Sequence, residues 1–352
     1  MSDELRKLKN KLPISIDNFI EEVLYGESGY YTNNVKIGKD GDFITSPCIS
    51  SLFGQTIALY VANYIASIRP NLAVNIIEFG AGNGDLFLDF ISFIEKIPSI
   101  RLFEVNYFIV EKSKKLIDLQ QVKLIKYLEK ISWIDQLSDD VVDENSISIF
   151  FSNELLDSFT VKQFKYDSRN WFELFVDCDE SGNFFIKNSS LESNNYVQKY
   201  LEMIEIDSRF IDGDIIEIPS YGIKWMEEFI KFFKKNSNNT AIFIDYGLTD
   251  FSKSPTIQSL RNHSYNYWLD NIFNADITHL VPFYTYSKIL IKSGLSVEFF
   301  SQRDFLINNG IFNLKKIASG KISAPNEIDL ALKRLTEEDQ MGNQFKVMQV
   351  CN

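Results

Sequence analysis

The chain has 352 residues, of which 45% are hydrophobic and 14% aromatic, and it carries a formal net charge of -12. This charge disfavours nucleic acid as a main partner, because phosphate binding requires clustered basic residues, and it suits a basic protein or peptide better. No apolar run reaches the ~20 residues of a membrane span, no secretory signal is visible and the three scattered cysteines lack metal-ligand spacing, so we expect a cytoplasmic protein without membrane insertion or a metal site.

The N-terminal part is predicted to be helical. Apolar residues recur at helical spacing through residues 3–25, with one proline interruption, and again from about 50 to 67. The stretch between them is rich in turn residues. We expect residues 1–70 to form a helical segment that contributes to the cofactor cleft of the domain that follows.

Strands and helices then alternate up to residue 153. The predicted strands are 74–79, 105–110, 122–128 and 146–152, and the predicted helices are 84–96 and 113–121. This alternation indicates an α/β fold with a doubly wound, mostly parallel sheet and right-handed crossovers.

The pattern changes near residue 160. Short strands separated by turn residues, then a helix, predict an inserted antiparallel meander subdomain over 161–204. Residues 71–160 and 205–350 should form the core, with helices at 220–235 and 284–293, strands at 241–247, 295–301 and 344–350, and two short helices before the last strand. The stretch 248–283 lacks periodicity, so we expect a long lid-like loop there.

A glycine-rich turn follows the first core strand. Glu78 is followed by glycines at alternate positions, Gly80, Gly82 and Gly84, and then by a helix-like apolar pattern. Such a turn brings the backbone close to a ligand at the carboxyl edge of a sheet. The dinucleotide fingerprint needs a third glycine where this chain has Asp85. The spacing therefore favours S-adenosylmethionine (SAM) over NAD, and Glu78 suits the cationic amino group of SAM.

Further polar residues follow the next strands. Glu111 ends the second core strand and should accept hydrogen bonds from ribose hydroxyls. Trp133, Ile134 and Asp135 follow the third predicted strand and should form the adenine wall and its polar contact. These positions extend the predicted SAM site along the same edge of the sheet.

Other motifs fall at strand ends where a doubly wound fold contacts ligands. The run FSNELLD places Glu154 and Asp157 at the lip of the cleft, although both acids also suit a helix N-terminus. Asp245 and Tyr246 end a buried strand, and the run ADITHLVPF contains His279, which with His263 makes up all the histidine of the chain. We treat these positions as candidates for substrate binding or catalysis.

Together these motifs resemble the MidA family of SAM-dependent methyltransferases. The resemblance lies in GDFITSP with ISSLFG, IIEFGAGNGDL, VEKSKKLIDLQ, FSNELLDSFTVKQF, IFIDYG, ADITHLVPF and MGNQFKVM, in this order over nearly the whole chain. It implies a class I SAM-dependent methyltransferase fold with insertions. Mitochondrial members of the family are respiratory complex I assembly factors, and their representative is regarded as a protein arginine methyltransferase acting on a complex I subunit. Further expected contacts are Ser46, Pro47 and Asn153 for SAM, and Asp245, Tyr246 and His279 for the protein substrate.

The chain departs from the family pattern at four positions. Cys48 and Pro282 replace acids near the expected substrate cleft, whereas Ala81 and Thr160 replace prolines. The loss of two acids keeps a different class of function open, namely a non-catalytic assembly factor that binds SAM as a structural ligand. An NAD oxidoreductase is disfavoured by the glycine spacing.

The expected reaction is methyl transfer from SAM to a protein nitrogen, with an arginine guanidinium as the expected acceptor. A guanidinium is fully protonated at neutral pH, so carboxylates are needed to localise nucleophilic density on one nitrogen. Glu154 is the first candidate for this catalytic role and Asp157 the second.

Overall fold

The computed structural model describes residues 3–34, 45–69, 71–261, 264–319 and 325–352. The first four residues of the GDFITSP motif and His263 lie outside these ranges. The helices are α1 (Asp3–Lys9), α2 (Ile16–Tyr25), α3 (Ser46–Ile49), α4 (Ser51–Ile68), α5 (Asp85–Ile94), α6 (Lys114–Lys123), α7 (Asn194–Met203), α8 (Ser220–Phe233), α9 (Phe283–Lys292), α10 (Gln302–Asn308), α11 (Ile311–Ser319), α12 (Pro325–Thr336) and α13 (Met341–Gln344). In the described parts of the chain, none of these helices combines the length and apolar character needed to cross a membrane.

The strands form three sheets. They are β1 (Ile14–Ser15), β2 (Ala73–Phe79), β3 (Val105–Val110), β4 (Ile131–Ile134), β5 (Ser146–Asn153), β6 (Lys162–Asp167), β7 (Asn170–Cys178), β8 (Phe184–Glu192), β9 (Ile215–Ile218), β10 (Thr240–Leu248), β11 (Gln258–Arg261), β12 (Ser264–Asn266), β13 (Asp276–Thr278), β14 (Val281–Pro282), β15 (Ser296–Ser301) and β16 (Phe345–Cys351).

The central sheet has the strand order β15-β16-β10-β5-β2-β3-β4, with β14 beside the end of β10. The five strands from β10 to β4 are mutually parallel, whereas β16 runs antiparallel to both of its neighbours. All eight residues of β5 are buried, as expected for a strand covered by helices on both faces. Apolar residues of α4 and α5 cover one face, and those of α8 and α9 cover the other. The predicted doubly wound sheet is confirmed.

The predicted meander is present as β6, β7 and β8, which pair antiparallel in chain order. Its sheet also contains β1 beside β7 and β9 beside β6, two short strands that periodicity did not indicate. One face packs on α2 and on residues 268–277, and the other packs on α7. The proposed division of the chain into helical segment, core, inserted subdomain and lid stays a prediction.

Some element predictions were wrong. Residues 122–128 are not a strand: they contain the end of α6 and part of a 3-10 helix, Ile125–Lys130, and the third core strand is β4. The stretch 248–283, for which the sequence predicts a long loop, contains β11, β12 and β13, which form a small antiparallel sheet. Four helices, α10 to α13, precede the last strand instead of two.

Candidate active site at the carboxyl edge of the central sheet

The parallel strands end at one edge of the central sheet, where the described residues line a cavity of about 1880 Å³. Pockets for a single small ligand measure roughly 300–1,000 Å³, so this space can hold a nucleotide-sized cofactor together with part of a second substrate. Ten of the predicted site residues line it: Pro47, Glu78, Gly80, Gly82, Glu111, Asp135, Asn153, Glu154, Asp157 and Tyr246. The strand ends therefore bring together most of what the motifs indicated.

The glycine turn after β2 has a backbone that favours glycine. Gly80, Gly82 and Gly84 have φ angles of 63°, 52° and 84°, in the left-handed region. A Cβ atom on Gly80 would lie 2.9 Å from Leu155 Cδ1, so the turn and the loop after β5 are in close contact. Gly84 does not line the cavity; its N–H donates to the Ala81 carbonyl at 2.7 Å and it precedes α5.

Glu78 is the second-last residue of β2 and is 1% exposed. Its Oε2 atom has no hydrogen-bond partner among the described residues. Burial, and secondarily the charge of Glu111, raise the pKa of this carboxyl well above its usual range. A buried carboxyl oxygen of this kind, in the same cavity lining as the glycine turn, fits the cationic amino group of a ligand such as SAM, whose charge would favour the ionised form.

Glu111, at the end of β3, is held by Gln120 of α6. Glu111 accepts hydrogen bonds from the Ser113 N–H (2.9 Å) and the Gln120 amide (3.3 Å), and burial raises its pKa. Gln120 is fully buried and also donates to the Gly82 carbonyl at 2.8 Å. One side chain thus links the glycine turn to the acid that should contact ribose. Sequence reasoning missed Gln120, because it looked like an ordinary polar residue of an amphipathic helix.

Of the three residues predicted to contact adenine, Asp135 lines the cavity and the other two do not. Trp133 and Ile134 lie within β4, and neither lines the cavity. The Trp133 indole N–H instead donates to Gln120 Oε1 at 3.0 Å. The error follows from the misplaced third strand, and residues 135–137, which do come after β4, line the cavity at this position.

The loop after β5 carries Glu154 in a strained conformation. Its φ is 52°, which is uncommon for a residue with a side chain, and its N–H donates to the Ile244 carbonyl of β10 at 2.9 Å. Glu154 Oε1 accepts a hydrogen bond from the Asn153 amide at 2.8 Å. Burial raises the pKa of Glu154 to about 8, and the neighbouring Asp157 adds to the effect. A carboxyl of this kind can change its protonation state near neutral pH.

Asp157 and Tyr246 form a second polar contact in the cavity. The Tyr246 hydroxyl donates to Asp157 Oδ2 at 2.6 Å, and burial raises the pKa of Asp157. Asp245 lies behind them and does not line the cavity. It accepts hydrogen bonds from the N–H groups of Leu156 (2.9 Å) and Asp157 (3.2 Å), so its position favours holding the loop over contacting a substrate.

Two further predicted contacts lie behind the cavity wall. His279 is 3% exposed, and its ring nitrogens lie 2.8 Å from the Phe159 carbonyl and 3.0 Å from the Leu280 carbonyl. Ser46 is fully buried, and its hydroxyl donates to Gln302 Oε1 at 3.1 Å. These positions suit His279 and Ser46 to supporting the site, not to touching a ligand.

The N-terminal segment supplies side chains that the sequence analysis did not single out. Tyr25 and Tyr31 of this segment line the cavity, and so does Asp276 of β13. The Tyr25 hydroxyl donates to the Ser158 carbonyl and the Tyr31 hydroxyl to Asp276 Oδ2, both at 2.9 Å. Tyr31 lies in the stretch whose composition indicates only turns, and Asp276 lies in the ADITHLVPF motif, in which the sequence analysis singles out only His279.

A family model described as "Putative S-adenosyl-L-methionine-dependent methyltransferase" matches residues 56–301. The chain belongs to this family. The family assignment agrees with the glycine turn, the unpartnered Glu78 oxygen and the acid at the end of β3. SAM is therefore the cofactor of the family, and the residues present fit its amino group and ribose.

Curated relatives are named protein arginine methyltransferases. The mouse protein "Protein arginine methyltransferase NDUFAF7, mitochondrial" is 31% identical over 196 residues, which cover 49% of this chain and 44% of that protein. The chain thus spans less than half the length of the mammalian relative in that alignment. The Xenopus laevis protein of the same name is 25% identical over 373 residues, covering 98% of this chain and 82% of that protein.

A solved structure supports the fold. A Burkholderia thailandensis protein bound to S-adenosyl-homocysteine superposes with a TM-score of 0.82 at 23% sequence identity, covering 99% of this chain and 92% of that chain. At this identity the likeness concerns the fold. With the strand order of the central sheet, it confirms the predicted class I SAM-dependent methyltransferase fold.

Proposed function

We propose that the protein transfers a methyl group from SAM to a protein nitrogen, with the guanidinium of an arginine as the favoured acceptor. The observation that carries the proposal is the position of Glu154. This strained and partly buried acid lies in the same cavity as the glycine turn and beside Asp157. The names of the curated relatives support arginine as the acceptor.

Residues around the glycine turn would bind and orient the cofactor. Glu78 would accept the amino group, Gly80 and Gly82 would allow close approach of the backbone, and Glu111 would hold the ribose hydroxyls. The bound cofactor supplies an electrophilic methyl group that needs no activation by the protein. Towards the cofactor, the contribution of this chain is therefore alignment and exclusion of water.

Glu154 and Asp157 would act on the acceptor. An ionised Glu154 would accept hydrogen bonds from one edge of the guanidinium and keep lone-pair density on the nitrogen that is to react. Methylation of that nitrogen requires one proton to leave, and a carboxylate with a pKa of about 8 can accept it. Asp157, fixed by the Tyr246 hydroxyl, would hold a second nitrogen of the same group.

The alternative is a non-catalytic, SAM-binding assembly factor for respiratory complex I. The observation in its favour is that Cys48 and Pro282 replace acids of the family pattern. Neither residue lines the cavity: the Cys48 thiol contacts Thr45 and Asp85, and Pro282 ends β14 beside Leu248. Their positions favour the enzyme. A complex I subunit as substrate, and a location in the cytoplasm as opposed to the mitochondria of the named relatives, stay proposals.

The test is methyl transfer from radiolabelled SAM to proteins of a cell lysate by wild type and Glu154→Gln. We expect Glu154→Gln to bind SAM with unchanged affinity by calorimetry and to transfer about 100-fold more slowly, as when an interaction specific to the transition state is lost. Glu298→Gln, an exposed acid on β15, is the matched control and should behave as wild type. Loss of SAM binding in Glu154→Gln would make Glu154 a cofactor contact. A wild type that binds SAM and labels nothing would favour the assembly factor.

A further inference from the structure

The acceptor end of the cavity has an aromatic wall built by the N-terminal segment. The rings of Tyr25 and Tyr31 are stacked, with centroids 5.3 Å apart and planes at 11°. Tyr30, which is 2% exposed, contacts Tyr31 edge-on at 5.2 Å and so supports the pair from the protein core. Tyr25 is the more open member of this tyrosine pair, with 39% of its surface exposed.

Both hydroxyl groups of the tyrosine pair are already engaged. Tyr25 donates to the Ser158 carbonyl, three residues beyond Leu155 in the loop after β5, and Tyr31 donates to the carboxylate of Asp276 on β13. Burial raises the pKa of both phenols above their ordinary value, so neither serves as a base. What the pair can still offer a ligand is the face of a ring.

Carboxyl groups surround this wall. Glu21 lies one helical turn before Tyr25 on α2 and lines the cavity, as do Glu154, Asp157 and Asp276. A ring face attracts cations through its quadrupole, and nearby carboxyls strengthen the preference for positive charge. A planar guanidinium can lie flat on a ring and is weakly hydrated, whereas an ammonium is compact and strongly hydrated.

We propose that the tyrosine pair Tyr25 and Tyr31 is the specificity-determining element for the acceptor, selecting a flat guanidinium over an ammonium. The inference rests on the proposed function, since it concerns the acceptor of the same reaction. The N-terminal segment would then determine the choice between arginine and lysine, whereas Glu154 and Asp157 in the loop after β5 would act on the reacting nitrogen.

The test uses ethylguanidinium and n-propylammonium as probes, titrated by calorimetry or NMR into protein loaded with S-adenosyl-homocysteine. Wild type should bind ethylguanidinium at least about fivefold more tightly than n-propylammonium. Tyr25→Leu, which keeps an apolar side chain without a ring, should lose most of this ratio. Tyr25→Phe keeps the ring and loses the bond to Ser158, so it should retain the ratio. Tyr196→Leu, at a tyrosine of α7 that is 44% exposed and outside the cavity lining, is the matched control.

Several outcomes would overturn the inference. The first is an equal affinity of wild type for both probes. The second is a folded Tyr25→Leu variant that keeps the wild-type affinity ratio. The third is a loss of this ratio in Tyr25→Phe as large as in Tyr25→Leu, which would indicate that the hydrogen bond to Ser158 matters and the ring does not. If Tyr25→Leu does not fold, the comparison of wild type with Tyr25→Phe and Tyr31→Phe still decides, because a role of the hydroxyls predicts a lost ratio. A different result would contradict the proposed function: wild type labels no lysate protein, even though the ratio of its affinities for the two probes depends on the Tyr25 ring.

Discussion

At the scale of single residues, Glu154 combines two unfavourable features that a purely structural residue would avoid. Its backbone is in the left-handed region, and its carboxyl lies next to Asp157 in a partly buried position. Strained residues persist where the surrounding structure holds them, and they cluster at active sites. Glycine would remove the strain and an amide would remove the charge, so the presence of glutamate points to a use for the carboxylate.

The pH dependence of the reaction should report Glu154. Below about pH 8 the carboxyl of the free protein is mostly protonated and neutral, and it attracts a cationic acceptor weakly. We therefore expect kcat/KM for the acceptor to rise with pH through about 8, since this parameter reports groups of the free enzyme. In Glu154→Gln the residual activity should lack this rise.

The same shift has a consequence for stability. The folded state holds the Glu154 proton more tightly than the unfolded state, so Glu154 costs stability increasingly as pH rises from about 5 towards about 8. Glu154→Gln should accordingly raise the melting temperature more at pH 8 than at pH 5. A difference in melting temperature between the variant and wild type that is the same at pH 5 and pH 8 would contradict the raised pKa.

Gln120 should matter for both stability and cofactor binding. Gln120→Leu leaves the half-buried Trp133 indole and Gly82 carbonyl without this partner, which should cost about 1 kcal/mol of unfolding free energy for each lost hydrogen bond. Because the glycine turn and Glu111 both lose a contact, SAM affinity by calorimetry should fall by about tenfold or more, roughly 1.4 kcal/mol. Gln163→Leu is the control: this buried glutamine donates to Glu217 far from the turn, and its loss should lower stability only. Unchanged SAM affinity in folded Gln120→Leu would refute the link.

At the scale of elements, α8 and α9 pack unusually closely where Gly222 meets Tyr286. A Cβ atom on Gly222 would lie 2.0 Å from the Tyr286 hydroxyl, which is buried and has no hydrogen-bond partner among the described residues. The glycine therefore makes room for a polar group that gains nothing from its position. Removing that group should cost little.

We expect Tyr286→Phe to change the unfolding free energy by less than about 1 kcal/mol or to increase it, because no hydrogen bond is lost. Tyr200→Phe is the matched control, since the Tyr200 hydroxyl is 2.7 Å from Thr285 Oγ1 and its removal should destabilise by about 1 kcal/mol. Gly222→Ala should be strongly destabilising in wild type and less so beside Tyr286→Phe. Additive effects in this double-mutant cycle would show that the two residues do not compete for space.

The elements of the central sheet could be predicted because their apolar runs are short, buried and bounded by glycine or acids. The stretch 122–128 could not, because its apolar residues divide between core and solvent: Leu124 is fully buried, whereas Val122 is 74% exposed and Ile125 is 66% exposed. The strands β1 and β9 have two and four residues, which is too short for an alternating pattern to be recognised.

For the site, acids such as Glu78 and Glu111 could be predicted because they stand at the ends of recognisable strands. Tyr25 and Gln120 could not be predicted, because their roles depend on contacts between segments that are distant in sequence.

At the scale of the whole molecule, a third apolar core joins parts of the chain that are far apart in sequence. It unites the N-terminal helices, the meander sheet and residues 268–277. Phe19, fully buried, lies near its centre, with ring contacts to Phe184 at 5.8 Å and Trp268 at 5.9 Å. The N-terminal segment is thus part of the folded body, which explains how it can place Tyr25 and Tyr31 in the cavity.

Phe19→Ala should lower the unfolding free energy by about 3–5 kcal/mol, as for other fully buried aromatic residues. Because this core lies under the tyrosine pair and away from the glycine turn, binding of guanidinium probes should weaken more than binding of SAM. Phe185→Ala is the control: the ring is 41% exposed on β8, and its loss should change stability by less than about 1 kcal/mol. Equal weakening of both ligands would place the acceptor end elsewhere.

The position of β16 between β10 and β15 has a consequence for how the chain is made. Strand β15 leaves the ribosome before β16, yet β16 is the neighbour through which it joins the central sheet. Helices α10 to α13 must therefore be synthesised while β10 still presents an unpaired edge of buried apolar residues. An exposed edge of this kind templates pairing with other chains. Nascent chains that stall before Phe345 should accordingly be the species most dependent on chaperones.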